Sequence, residues 1–229
     1  MPANGCGVDD REKGTLVNTK NNVLYCASQS SARHALLKQA GIPFKVIDIN
    51  VCEDDADAVG SVQEQVKKIA QYKHIGIDVP ALILAHEESK KPIYLLTADT
   101  MIAGLKDGQL YGKPCDRAHA IEMLTKISQQ EIVVATGMCL SIWKYHEEEE
   151  GWYNPVFETW VAQATAEFYV PTNEIEDYLN ACPAAMAACA ATAVEGPGIS
   201  YFKAMNGSYT GVLGLDMYEL RKLLMAHGF

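Results

Sequence analysis

Asn22–Ile49 reads NVLYCASQSSARHALLKQAGIPFKVIDI, and the order of its parts decides the fold class. Asn22–Ala27 is a short apolar run of strand length. Ser28–Ser31 breaks it. Ala32–Ala40 then predicts a helix, with Ala35, Leu36 and Leu37 apolar and Gly41 at its stop. Pro43–Ile49 alternates like a second strand.

The same mixture continues downstream. Ser61–Lys73 predicts a helix with Val62, Val66, Ile69 and Ala70 on one face. Val79–Ala85 is an apolar run that periodicity does not assign, whereas Ile93–Ala98 reads as a buried strand. Asp116–Ser128 is helical, carrying Ala120, Met123, Leu124 and Ile127. Ile132–Trp143 and Phe157–Val170 are long strand-like segments, joined through the acidic turn His146–Gly151 into a hairpin. Thr172–Leu179 predicts a helix, with Asn173 and Glu176 spaced as a capping box. The Ala-rich stretch Pro183–Val194 has no clear period. Ile199–Ala204 reads as a strand and Met217–Ala226 as a closing helix. The fold class is therefore α/β, or mixed α+β, with no internal repeat. Residues 1–21 read as a loose polar leader and residues 22–229 as one domain.

Composition excludes several classes. Of 229 residues, 48% are hydrophobic and 21% charged, which argues against a disordered or coiled-coil chain. A net charge of −10 without a Lys/Arg cluster argues against nucleic acid as a partner. No apolar stretch reaches the roughly 20 residues that span a bilayer, and the polar beginning lacks a signal-peptide core. Seven cysteines, an odd number with no C-x-x-C pair, suggest free thiols in a reducing compartment. The expected location is cytoplasmic, without a membrane.

Six places carry residue types that could serve phosphate chemistry. Ala27–Arg33 ends a strand in Ser28 and Ser30 and puts Arg33 in the first turn of a helix. Free helix N–H groups, hydroxyls and a guanidinium make a phosphate site there, or merely a Ser-capped helix with a solvated Arg. Leu95–Thr100 delivers Asp99 and Thr100 at the end of an apolar strand, where α/β sheets place ligands, although Asp after a strand also suits a plain turn. Gly112-Lys113-Pro114 pins a lysine in a rigid loop, or makes a β-turn with a solvated lysine. Lys73 ends its helix, either as a site cation or as a surface residue facing the helix dipole. Glu53, in an acidic run with Asp54, Asp55 and Asp57, is either a metal ligand or part of a solvated loop. Asn206–Leu215 holds three glycines among apolar residues, but neither the P-loop spacing nor an H-E-x-x-H motif occurs in the chain.

Taken in order, these segments resemble the Maf family of nucleoside triphosphate pyrophosphatases. LYCASQSSARHALLKQAGIPF is similar to the family's strand, S-x-S-P-R-R motif and helix. LLTADTMIAGLKDGQLYGKP resembles its A-D-T…G-K-P block. ATGMCLSI resembles the T-G-V strand, and GSYTGVLGLDMYELRKLL the closing G-S-x-x-x-V-x-G-L-P segment. The resemblance covers about residues 22–225. It implies an elongated mixed sheet flanked by helices, with a cleft between two lobes, and a homodimer. It implies hydrolysis of a nucleoside triphosphate to the monophosphate and pyrophosphate, with Mg²⁺ or Mn²⁺ as cofactor. Carried across, Asp99, Lys73 and Lys113 are the catalytic residues. Ser28, Ser30, Arg33, Thr100 and Glu195 bind substrate, and Glu53 and Asp99 hold the metal.

The chain also departs from the family pattern. The Pro-Arg of S-x-S-P-R-R is Ser31-Ala32, so one cation is missing. The D-x-A-G-x-Y-x-x-Q-G segment aligns with Ala187–Gly196, where the acid becomes Ala187, the glycine Ala190 and the glutamine Glu195. The glutamate resembles the branch that prefers 7-methyl-GTP over dTTP and UTP. Residues 76–92 are longer than usual, and the acidic hairpin turn is an addition. The alternative expectation is a catalytically impaired member that binds nucleotides or a partner.

Overall fold

The computed structural model describes residues 22–49, 51, 59–128 and 130–229. Its centre is a seven-stranded mixed sheet. The opening segment folds as β1 (Leu24–Cys26), α1 (Ser31–Gln39) and β2 (Phe44–Val46), with β2 parallel to β1. β1 is also parallel to β3 (Ile93–Gly104), whose far end pairs antiparallel with the short β4 (Leu110–Tyr111). β5 (Glu131–His146) and β6 (Gly151–Phe168) form the expected hairpin, and β7 (Phe202–Gly207) pairs with the end of β6. The sheet order is β2-β1-β3-β5-β6-β7.

Strand alternation sorts the core onto two faces. Leu24, Cys26, Tyr94, Leu96 and Ala98 face α1 and α6 (Met217–Ala226), meeting Leu36, Leu37, Leu220 and Leu224. On the other face, Val62 and Val66 of α2 (Val62–Ile75) pack on Val133 and Ala135. α4 (Arg117–Ile127) and α5 (Ile175–Ala181) close the far end around Ile102, Tyr178 and Phe168. The helices start where capping chemistry directs them. Ser30, Asp116 and Asp216 each accept a backbone N–H at an N-cap, and Ser61 with Glu64 completes a capping box.

The unassigned run Val79–Ala85 is a helix, α3 (Val79–His86), started by the Asp78 side chain and Pro80. Val79, Leu82 and Ile83 pack, together with Trp143 and Trp152 of the hairpin, on a buried cluster of Tyr25, Ala27, Ile77, Ile93 and Leu95. Trp152 donates to Glu87 over 3.2 Å, and the Lys90 ammonium stands 3.9 Å over the Tyr145 ring.

Two expectations are corrected. The predicted capping box at Asn173 and Glu176 is absent; residues 172–174 form a 3₁₀ turn, and no side chain caps it or α5. The last strand starts at Phe202 instead of Ile199. Gly196 in a left-handed conformation and Pro197 bend residues 196–201 into a 3₁₀ turn, and Gly198 packs too tightly on the Ala193 carbonyl for a side chain. Among the described residues, no helix is long and apolar enough to cross a membrane.

Candidate active site

β1 and β4 both lie along the same edge of β3, and they do not meet. β1 reaches Leu96, and β4 begins at Ile102. Between them, among the described residues, no strand covers that edge. The resulting notch opens both faces of β3 to one cavity of about 420 Å³. Asp99 and Thr100 point to opposite faces yet both line it. They sit in mid-strand, not at its end as the sequence suggests, because the antiparallel pairing with β5 carries β3 past the point where β1 stops.

The same cavity collects Ser28, Ser30, Arg33, Lys73, Lys113 and Glu195. Every site residue expected from sequence is therefore brought together, except Glu53, which lies outside the described residues. The two carboxylates Asp48 and Glu195 join Asp99 in the lining. Among the described residues there is no cluster of three or more His, Cys, Asp or Glu able to hold a metal.

Arg33 is 8% exposed and fixed on three sides. Its Nε donates to the Gly214 carbonyl (2.9 Å), Nη1 to Ser28 Oγ (2.9 Å) and Nη2 to Thr100 Oγ1 (3.0 Å). All three acceptors are neutral, and no carboxylate pairs with Arg33 among the described residues. A buried guanidinium held in this way keeps its charge for an anion. Gly214 (φ +106°) permits the approach: a Cβ there would stand 3.1 Å from Arg33 Nε.

Lys73, 6% exposed, ends α2 and places Nζ 2.8 Å from Asp99 Oδ1. This lysine is a site cation and not a surface residue. The approach depends on Gly137, which pairs with Asp99 across β3 and β5. A Cβ at Gly137 would collide with the Val66 carbonyl, so its absence lets α2 lie close on the sheet. Behind Lys73, His74 is buried against Ser141 (2.7 Å), and burial pushes its pKa down to about 4.

The opposite wall is the Ala-rich stretch, which folds into short 3₁₀ turns. Ala190 and Ala191 both adopt left-handed backbone (φ 52° and 56°), each costing roughly 1–2 kcal/mol without glycine's freedom. Four hydrogen bonds hold this wall in place. Ala190 N donates to the Gly112 carbonyl (2.7 Å), which ties this wall to the Lys113 loop. The Tyr178 hydroxyl donates to the Ala191 carbonyl (2.9 Å) and accepts from Ala193 N (2.8 Å). Cys189 Sγ donates to the Thr100 carbonyl across the notch (2.8 Å). Burial first, and the Asp99 charge second, push this thiol up to about 11, so at neutral pH it is an S–H donor and not a nucleophile.

A model described as "Maf-like protein" matches residues 23–227, nearly the whole described chain. The chain belongs to the Maf family. Among curated Maf relatives, it is 31% identical over 211 residues to a dTTP/UTP pyrophosphatase of Hydrogenovibrio crunogenus, covering 90% of this chain and 96% of that protein. It is 32% identical to a dTTP/UTP pyrophosphatase of Citrifermentans bemidjiense, covering 91% and 97%. A nucleoside triphosphate pyrophosphatase of Xylella fastidiosa shares 30% identity over 203 residues, covering 88% and 97%. Arg33 is the one arginine of the segment from Ser28 to Ala40, and Ala190 takes a left-handed conformation that glycine adopts more freely than alanine.

Sequence reading missed Thr136, Gly137, Cys189 and Gly214. The T-G pair beside the A-D-T strand is the signal for the first two, since a glycine opposite an aspartate marks a close approach. Cys189 has no such signal, because its role depends on the notch.

Proposed function

We propose that this Maf protein hydrolyses a nucleoside triphosphate between the α- and β-phosphates, releasing the monophosphate and pyrophosphate. The observation that carries the reading is the buried charge of Arg33, which no carboxylate pairs among the described residues, in one cavity with Lys113 and the Lys73–Asp99 pair. The names of the relatives support the reaction class.

A triphosphate brings about four negative charges, and an in-line attack by water on the α-phosphorus requires those charges to be held and neutralised. Arg33 and the helix start at Ser30 are placed to bind phosphate oxygens, with Ser28 holding the guanidinium. Lys113 reaches the same space from its own loop. Lys73 pairs with Asp99 over 2.8 Å and orients its carboxylate. Thr100 forms the floor between them. A hard divalent cation needs only one or two carboxylates when phosphate oxygens and waters complete its shell, and Asp99 suits that role for Mg²⁺ or Mn²⁺. When bound, the cation supplies further neutralisation of the phosphates. Glu53 is the second ligand in this reading.

The base faces the alanine wall. Ala187 and Ala188 leave it wide and apolar, with the Glu195 carboxylate at its rim. A carboxylate accepts hydrogen bonds from the N1–H and 2-amino group of guanine and favours a cationic methylated base, which points to 7-methyl-GTP. Free thiols at Cys26, Cys139 and Cys182 suit a reducing cytoplasm.

The test is a hydrolysis panel with common ribo- and deoxyribonucleoside triphosphates and 7-methyl-GTP, with Mg²⁺ or Mn²⁺, scoring pyrophosphate separately from phosphate. The expected result is pyrophosphate from 7-methyl-GTP, lost in Asp99→Asn and shifted toward UTP in Glu195→Gln. Silence across the panel from folded protein refutes hydrolysis and leaves a nucleotide-binding Maf protein. An unchanged base ratio in Glu195→Gln removes that residue from the base site.

A further inference from the structure

Thr136 touches no part of the cavity's charged set, yet it is tied to Arg33 through a directed chain of hydrogen bonds. Arg33 Nη2 donates to Thr100 Oγ1 (3.0 Å), Thr100 Oγ1 lies 2.8 Å from Thr136 Oγ1, and Thr136 Oγ1 donates to the Gly211 carbonyl (2.7 Å). The direction is forced from both ends. A guanidinium only donates, and a carbonyl only accepts. Thr136 must therefore give its proton to Gly211, and Thr100 must give its own to Thr136. Thr100 Oγ1 is left as an acceptor, with its lone pairs turned toward Arg33 and strengthened by the bond it donates.

We propose that Thr136 is a positioning residue of the phosphate site, acting on Arg33 through Thr100. This deepens the proposed function and rests on it for the statement that Arg33 binds phosphate. Thr136 is 1% exposed, so water cannot replace it in the chain. Its acceptor, Gly211, belongs to the same short segment whose Gly214 carbonyl holds Arg33 Nε. One segment thus grips the guanidinium at two nitrogens, directly through Gly214 and at one remove through Thr136 and Thr100. Without the Thr136 hydroxyl, Thr100 can turn its proton toward the guanidinium, and the acceptor at Nη2 is lost.

The experiment measures calorimetric affinity for inorganic pyrophosphate with magnesium chloride, so that no turnover is needed. The proteins are wild type, Thr136→Val, Thr136→Ser, Arg33→Ala and Arg33→Ala/Thr136→Val. Thr136→Val should weaken binding about tenfold, in line with a hydrogen bond to a charged group. Thr136→Ser should restore it, and the double variant should bind no more weakly than Arg33→Ala alone. A merely structural role would add its loss on top of Arg33→Ala. That result, or wild-type affinity in Thr136→Val, overturns the proposal. If Thr136→Val does not fold, Thr100→Val breaks the same chain one step earlier and is read by the same criteria. Pyrophosphate binding that follows this pattern, in a protein that hydrolyses no nucleotide, would sink the proposed hydrolysis and leave the positioning role standing.

Discussion

Gly137 is the residue on which the ion pair of the site depends. It stands opposite Asp99 in the sheet and beneath Val66 of α2, and there is no room between them for a methyl group. Gly137→Ala should push α2 outward and draw Lys73 from Asp99. The expected cost is about 1–3 kcal/mol of stability, read by urea unfolding, with a fall in kcat larger than the change in KM. Retained stability and turnover would mean that α2 is seated by its other contacts. Tyr178 plays the matching part on the opposite wall, where its hydroxyl is the partner of both Ala191 and Ala193. Tyr178→Phe leaves a buried carbonyl and a buried N–H unpaired, and should lower stability by about 1–3 kcal/mol. Because that wall is the proposed base side, KM for the nucleotide should rise more than kcat falls.

Helix α2 is held at its end by a buried histidine. His74 Nε2 meets Ser141 of β5, and its ring stands edge-on to Phe157 of β6 (5.4 Å). Burial favours the neutral ring and depresses its pKa to about 4 from the ordinary 6.5. Between those values the unfolded chain binds a proton that the native protein refuses. The contribution of His74 to stability is thus complete above about pH 6.5 and is lost progressively as pH falls toward 4. The full effect is at most about 3 kcal/mol. Urea midpoints of wild type should fall more between about pH 7.5 and about pH 5 than those of His74→Gln, and equal falls would remove His74 as the cause. Since Lys73 precedes His74, the same titration loosens the helix end that carries the site cation.

At the scale of the molecule, the periodic elements were legible and the site was legible only in part. Asn22–Ile49 and Met217–Ala226 show their strands and helices openly, because capping residues and apolar spacing act over a few positions. The left-handed alanines at 190 and 191 could not be read, since Ala lacks glycine's preference and the contacts that hold it come from Gly112 and Tyr178. Ser28, Arg33, Asp99 and Lys113 were recognisable as residue types in order, but their convergence follows from a gap between β1 and β4 that no local pattern encodes. That gap also reconciles a chain of net charge −10 with an anionic substrate. Field strength at a few ångströms is set by Arg33, Lys73 and Lys113, while the distant carboxylates are screened by salt.

Helix α3 and the hairpin share the covering of one layer of the core. Val79, Leu82 and Ile83 of the helix and Trp143 and Trp152 of the hairpin cover one buried cluster of Tyr25, Ala27, Ile77, Ile93 and Leu95. Trimming α3 alone would expose this cluster on the helix's side, and shortening the hairpin alone would take the two indoles from it. The two coverings act together, and removing either bares part of the same buried layer.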